Sequence, residues 1–352
     1  MPRTPDADQG RAHPVPQPVR RPGGRAGRRT AHARILAATL PLMLLATACS
    51  ADEPGAPAAP EVTLAIAPAS FDLAVGEDRR LLLAVFTDRR ERVAGGTVTV
   101  RLAHLGDEPG GQATLGDPMT ATFLPVPGLD VPAPERGPAV VGTDLLTGVY
   151  RVDVDLDAAG FWGVQVTADL LDVGPVEGRA VLQVLPAPEV VDVGGTAPPT
   201  PNLVRADVEA GLAPASALDS RLRSLEDPDR AAVLHTTRVD ESLAAGRPVV
   251  LAITTPVYCV SLVCGPLTEH LVDVHDRFGD RADFVHVEVW EDFEAQRLSP
   301  AAAAWIQTAT GGNEPWVFLI DGDGTVLARW DNVVDPEELE AALSALPVLD
   351  AS

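Results

Sequence analysis

Val249 to Pro266 reads VVLAITTPVYCVSLVCGP, and its two halves call for different structure. VVLAI (Val249 to Ile253) is a continuous apolar run, the mark of a strand covered on both faces. Cys259 and Cys264 follow in a loop, and Pro266 then stands where the first turn of a helix tolerates a residue without an amide hydrogen. Beyond it Leu267, Leu271, Val274 and Phe278 recur at helical spacing. A strand, a cysteine loop and a helix are therefore expected in that order.

The residues downstream extend the alternation. FVHVEVW (Phe284 to Trp290) reads as a strand, and WVFLI (Trp316 to Ile320) as another one buried on both faces. DGDG (Asp321 to Gly324) supplies a tight turn into TVLARW, because its glycines permit positive φ. Asp335-Pro336-Glu337-Glu338 then caps a last helix with Leu339, Leu343 and Leu346 on one face. Strands alternating with helices from about Ala231 to Leu349 predict an α/β unit.

Two of these stretches resemble the thioredoxin family: VVLAITTPVYCVSLVCGP is similar to its first central strand and active-site loop, and NEPWVFLIDGDGTVLARW (Asn313 to Trp330) to its cis-proline strand and hairpin. The resemblance implies a thioredoxin-like fold for residues 231–349, with Pro315 as the cis-proline facing the redox loop and Cys264 as the nucleophile. The implied activity is thiol–disulfide exchange. Three positions depart from the family pattern: Val263 stands for its Trp, Leu267 for its resolving Cys and Glu314 for a small or β-branched neutral residue. Cys259 is then the substitute resolving partner. Two alternatives stay open. One is a non-enzymatic binding or assembly module with a structural disulfide; the other is a Cu(I)-handling chaperone, thiolates being suitable soft ligands. His270 lies off the helical face of Cys264 and His286 sits in a strand, so both read as structural. No cofactor is expected.

Upstream, Glu61 to Pro186 holds short alternating runs broken by turn residues and no convincing helix, which predicts an all-β, Ig-like sandwich over 61–186. Its clearest strand alternates Val152, Val154 and Leu156 with Arg151, Asp153 and Asp155. Trp162 reads as core, and no catalytic constellation occurs here. Residues 187–230, opening on PAPEVVDVGGTAPPTPN (Pro186 to Asn202), read as a linker.

Eight of the 27 basic residues lie between Arg3 and Arg34, followed by the apolar run Ile35 to Ala48 (ILAATLPLMLLATA). That run is too short to span a bilayer and has the length and flanks of a signal h-region, so residues 1–48 are expected to be a signal peptide with a long Arg-rich start. LATAC (Leu45 to Cys49) resembles a bacterial lipobox, which implies lipid on Cys49, a flexible tether over 49–60 and attachment to the extracytoplasmic face of the cell membrane. With Cys49 assigned to the anchor, Cys259 and Cys264 remain as an even pair in a compartment where disulfides persist. The net charge is -23, and without the first 34 residues 19 basic face 48 acidic groups. Such a polyanion excludes a nucleic-acid partner. The expected partners are exported cysteine-containing proteins, met at the membrane.

Overall fold

The computed structural model describes residues 62–349, apart from 130–133, 135, 144–146, 223–227 and 310. The expected signal peptide, the lipidated Cys49 and the tether lie outside the described residues.

Nine strands come first: β1 (Leu64–Pro68), β2 (Gly76–Thr87), β3 (Arg92–Ala94), β4 (Thr97–Gly106), β5 (Met119–Pro125), β6 (Ala139–Gly142), β7 (Gly148–Leu156), β8 (Gly160–Leu170) and β9 (Gly174–Val184). Their order is β1-β9-β8-β4-β5-β7-β2, and β1 pairs with β2 as well as β9, so seven strands close into a barrel. Strands β3 and β6 extend the sheet beyond β2. Closure runs through the antiparallel pair Leu64–Thr87 and the parallel pair Leu64–Gly178. Gly178 is needed there: a Cβ would sit 2.5 Å from the Leu64 carbonyl oxygen. The barrel core contains Leu81, Leu83, Val100, Tyr150, Val164 and Val166, and Trp162 also packs into it. Tyr150 is fully buried and its hydroxyl donates to the Gly95 carbonyl at 2.8 Å, because a buried phenol needs an acceptor.

The remaining chain begins with short helices α1 (Arg205–Glu209), α2 (Ala215–Leu218) and α3 (Pro228–Ala231), a 3₁₀ turn (Ala232–His235) and α4 (Val239–Ala244). Then come β10 (Val249–Thr254), α5 (Cys264–Phe278), β11 (Asp283–Glu288), a small hairpin of β12 (Trp290–Asp292) and β13 (Arg297–Leu298), α6 (Pro300–Ile306), β14 (Trp316–Ile320), β15 (Val326–Asp331) and α7 (Pro336–Ala345). Four of these strands form a sheet in the order β11-β10-β14-β15, with only β10 and β11 parallel. Strands β10 and β14 are buried throughout, which is why their sequences are continuously apolar. The Asp335 side chain accepts from the Glu337 and Glu338 amides at the start of α7. Residues after Pro186 run along β15: Gly194 donates to the Val326 carbonyl and Ala197 to that of Gly324, both at 2.8 Å.

The barrel and the four-stranded sheet share a core. Leu82, Leu124, Val126 and Val149 lie in one apolar cluster with Leu267 and Leu271 of α5, Leu319 of β14 and Trp330 of β15. Arg80 crosses the junction, donating to the backbone oxygens of Asp331 and Val333 and pairing with the Asp331 carboxylate. Arg329 reaches back to Asp72 at 2.9 Å.

This architecture overturns the expected class, an Ig-like sandwich followed by an α/β thioredoxin-like domain. Among the described residues strand outweighs helix, which makes up only about 20%, and the first strands close into a barrel instead of lying as two open sheets. The physical reason for the barrel is β1: one short strand bonds to two neighbours and leaves the ring without an edge. The helical share is low because, among the described residues, only α5 and α7 reach ten residues; α4 and α6 stop at six and seven.

Candidate functional site

Cys259 and Cys264 are joined by a disulfide, with Cα atoms 6.0 Å apart. Strand β10 ends at Thr254, the loop carries Cys259, and Cys264 is the first residue of α5. The Cys264 amide donates to the Cys259 sulfur at 3.4 Å, and the Ser261 hydroxyl lies 3.2 Å from the same sulfur. Both cysteines are buried, Cys264 completely and Cys259 to within 5% exposure. The small remaining exposure thus belongs to Cys259, the resolving partner in the sequence reading. Around the sulfurs the loop is open and apolar: Val260 is 94% and Leu262 65% exposed. Tyr258 stacks on Phe293, with ring centroids 3.9 Å apart, and Phe293 meets Trp290 edge-on. These rings hold one flank of the loop in place.

The Glu314–Pro315 peptide is cis, and Pro315 is buried. Because Ile253 pairs with Trp316, the β10–β14 register brings Pro315 level with Thr254, at the sheet end from which the cysteine loop departs. Glu288 ends β11 at the same level, opposite Thr254. Two carboxyl groups therefore occupy the end of the sheet that carries the disulfide. Glu288 is 2% exposed and accepts from the Ser220 amide at 2.9 Å; burial pushes its pKa up. Burial, then repulsion from Glu288, raises Glu314 to about 7.

A carboxyl group whose pKa is higher folded than unfolded holds its proton in the native state while the unfolded chain has already lost it. Stability is therefore lost as pH rises from the ordinary glutamate value through about 7, and Glu288 acts in the same direction. Glu314→Gln should melt at a higher temperature than wild type, by a margin that widens between pH 5 and pH 8. Thermal unfolding of both proteins across that range checks this, and a margin independent of pH would refute it.

Behind the loop a hydrogen-bonded row enters the protein. Thr268 Oγ1 donates to the Cys264 carbonyl at 2.7 Å, Thr254 Oγ1 lies 2.8 Å from Thr268 Oγ1, and His286 Nε2 lies 2.9 Å from Thr254 Oγ1. His286 Nδ1 then stands 2.9 Å from His235 Nε2, with the Asp219 carboxylate beside both. Arg221 pairs with Asp219 and with Glu269. Sequence reasoning treated His286 as structural and did not single out Asp219 or His235. One signal was present: a histidine inside a strand buried from Phe284 to Glu288 needs a polar partner. His270, on α5, is half-buried, and its Nε2 has no hydrogen-bond partner.

No family model matches the chain, and no curated protein is similar to it.

Proposed function

We propose that the Cys259–Cys264 disulfide exchanges with thiols of exported proteins, on a chain held at the extracytoplasmic face of the membrane through lipid on Cys49. The observation that carries this reading is the placement of the disulfide, between an exposed apolar loop and the first turn of α5. A substrate thiolate attacks Cys259 Sγ, forming a mixed disulfide as the Cys259–Cys264 bond breaks and Cys264 leaves as a thiolate. The unpaired amides and dipole at the start of α5 favour that negative charge on Cys264. A second substrate thiolate then attacks the substrate sulfur of the mixed disulfide. Cys259 leaves, the substrate is oxidised to a disulfide, and the chain is left as a dithiol. Exposed Val260 and Leu262 offer apolar contact to an extended polypeptide beside the reacting sulfur. The likeness of VCGPL and NEPWVFLI to thioredoxin motifs supports the same chemistry at the level of those motifs. Near-complete burial of both sulfurs favours the second reading, a structural disulfide that braces the loop.

In membranes from cells expressing Cys264→Ser, the remaining Cys259 thiol should attack disulfides of oxidised partners and accumulate mixed disulfides that vanish on reduction, because the Cys264 thiolate that would re-attack Cys259 Sγ and release the partner is gone. Cys259→Ser should accumulate far fewer, its one thiol being fully buried. Alkylation followed by non-reducing electrophoresis reads both variants. If neither forms an adduct, the disulfide is structural.

A further inference from the structure

In the buried group formed by Asp219, His235 and His286, hydrogen bonds determine where His286 carries its proton. Thr268 spends its one hydroxyl hydrogen on the Cys264 carbonyl, which can only accept. Thr254 must then donate to Thr268, so it has no hydrogen left for His286, and His286 Nε2 is the donor in that contact. A neutral His286 thus presents a bare lone pair at Nδ1. His235 Nε2 faces that lone pair at 2.9 Å, and Asp219 Oδ2 lies 3.8 Å from His235 Nε2 and 3.9 Å from His286 Nδ1.

Three atoms of metal-ligand type converge here within 3.9 Å of one another, in side chains at most 1% exposed. A metal ion fits among them. The point equidistant from atoms at those three separations lies about 2.1 Å from each, inside the range for zinc bound by imidazole nitrogen and carboxylate oxygen. The outer nitrogen of His286 is held by the Thr254 hydroxyl, the kind of support that orients metal-bound histidines. Arg221 also holds the Asp219 carboxylate, its Nη2 2.7 Å from Oδ2 and its Nε 3.1 Å from Oδ1, and pairs with Glu269 as well; a carboxylate oxygen has two lone pairs, so Oδ2 can accept from Arg221 and face the ion. A cavity lined by Leu218, Leu222, Ala232 and His235 adjoins the group.

We propose that Asp219, His235 and His286 bind a divalent transition-metal ion, zinc by the donor set, which ties Asp219 and the turn carrying His235 to β11. The site is separate from the cysteines and does not depend on their exchange chemistry.

The full-length protein, purified without chelator and exchanged through zinc, should retain about one zinc per chain by elemental analysis. Cobalt in its place should show ligand-field bands without thiolate charge transfer. A Cys259→Ser/Cys264→Ser double variant should keep the ion. Asp219→Asn and His235→Gln should each weaken binding by more than the roughly 10–100-fold typical of losing a supporting contact. Because those two variants disturb a buried cluster, the wild-type protein carries an independent test: strong chelator should lower its melting temperature and zinc should restore it. Wild-type protein that binds no stoichiometric zinc, or melts identically with chelator and with zinc, overturns the proposal. So does an ion lost from the cysteine variant but retained by His235→Gln.

Discussion

Arg80→Met should destabilise the protein by about 3–5 kcal/mol, the usual result of removing one partner from a buried ion pair. Arg80 lies on β2 of the barrel, and its guanidinium binds the Asp331 carboxylate and two carbonyls at the end of β15. Burial already raises the Asp331 pKa, with Arg80 the largest opposing influence and the Phe71 amide a further one. Without Arg80 the carboxylate is left buried beside the barrel, and its pKa climbs further. A carboxyl group raised above its unfolded value lowers stability once pH exceeds that unfolded value, so the defect should deepen from pH 4 toward pH 8. Arg80→Met/Asp331→Asn should recover part of the loss, since no unpaired charge remains. Urea unfolding followed by tryptophan fluorescence and far-UV circular dichroism measures all three proteins. A single-variant loss within about 0.5 kcal/mol, the range of ordinary surface substitutions, would show that the junction carries no such weight.

Leu82→Ala should cost about 2–5 kcal/mol, as much as Leu81→Ala, although the two side chains leave β2 on opposite faces. Leu81 and Leu83 fill the barrel interior. Leu82 points out of the barrel, yet it is completely buried, because it packs in the cluster that contains α5, β14 and β15. On an isolated barrel Leu82→Ala would be nearly neutral. The equal cost follows from a second core laid against the outside of the barrel, and both variants should unfold in one transition with an unchanged dependence on urea. An effect at Leu82 much smaller than at Leu81, or two separated transitions, would mean that barrel and sheet unfold independently.

The run Leu81-Leu82-Leu83 also shows where the sequence stopped being legible. Continuous apolar strands announce burial on both faces, and VVLAI and WVFLI were read in that way. RRLLLAVF carries the same signal within a region read as a sandwich with one buried face per strand, and what covers its second face lies some 170–250 residues further along the chain. Alternation in β7 did place Val152, Val154 and Leu156 inside. It could not distinguish an open sandwich from a closed barrel, because both require the same period of two. The deciding contact, β1 with both β2 and β9, is a matter of long-range pairing that leaves no local pattern.

At the candidate site the division is the same. Local chemistry was sufficient to expect the bond between Cys259 and Cys264, the turn at Asp321–Gly324 and the cap at Asp335, since each depends on residues a few positions apart. The sequence by itself also determined the strand–loop–helix order around the cysteines, through an apolar run, a proline and a helical repeat. Only the tertiary structure decided how far the sulfurs are buried, which carboxyl groups share their end of the sheet, and that Asp219, His235 and His286 meet. Those three residues come from separate segments joined by folding, and the relevant energies, desolvation and Coulomb interaction over about 3–4 Å, depend on distance in space rather than along the chain.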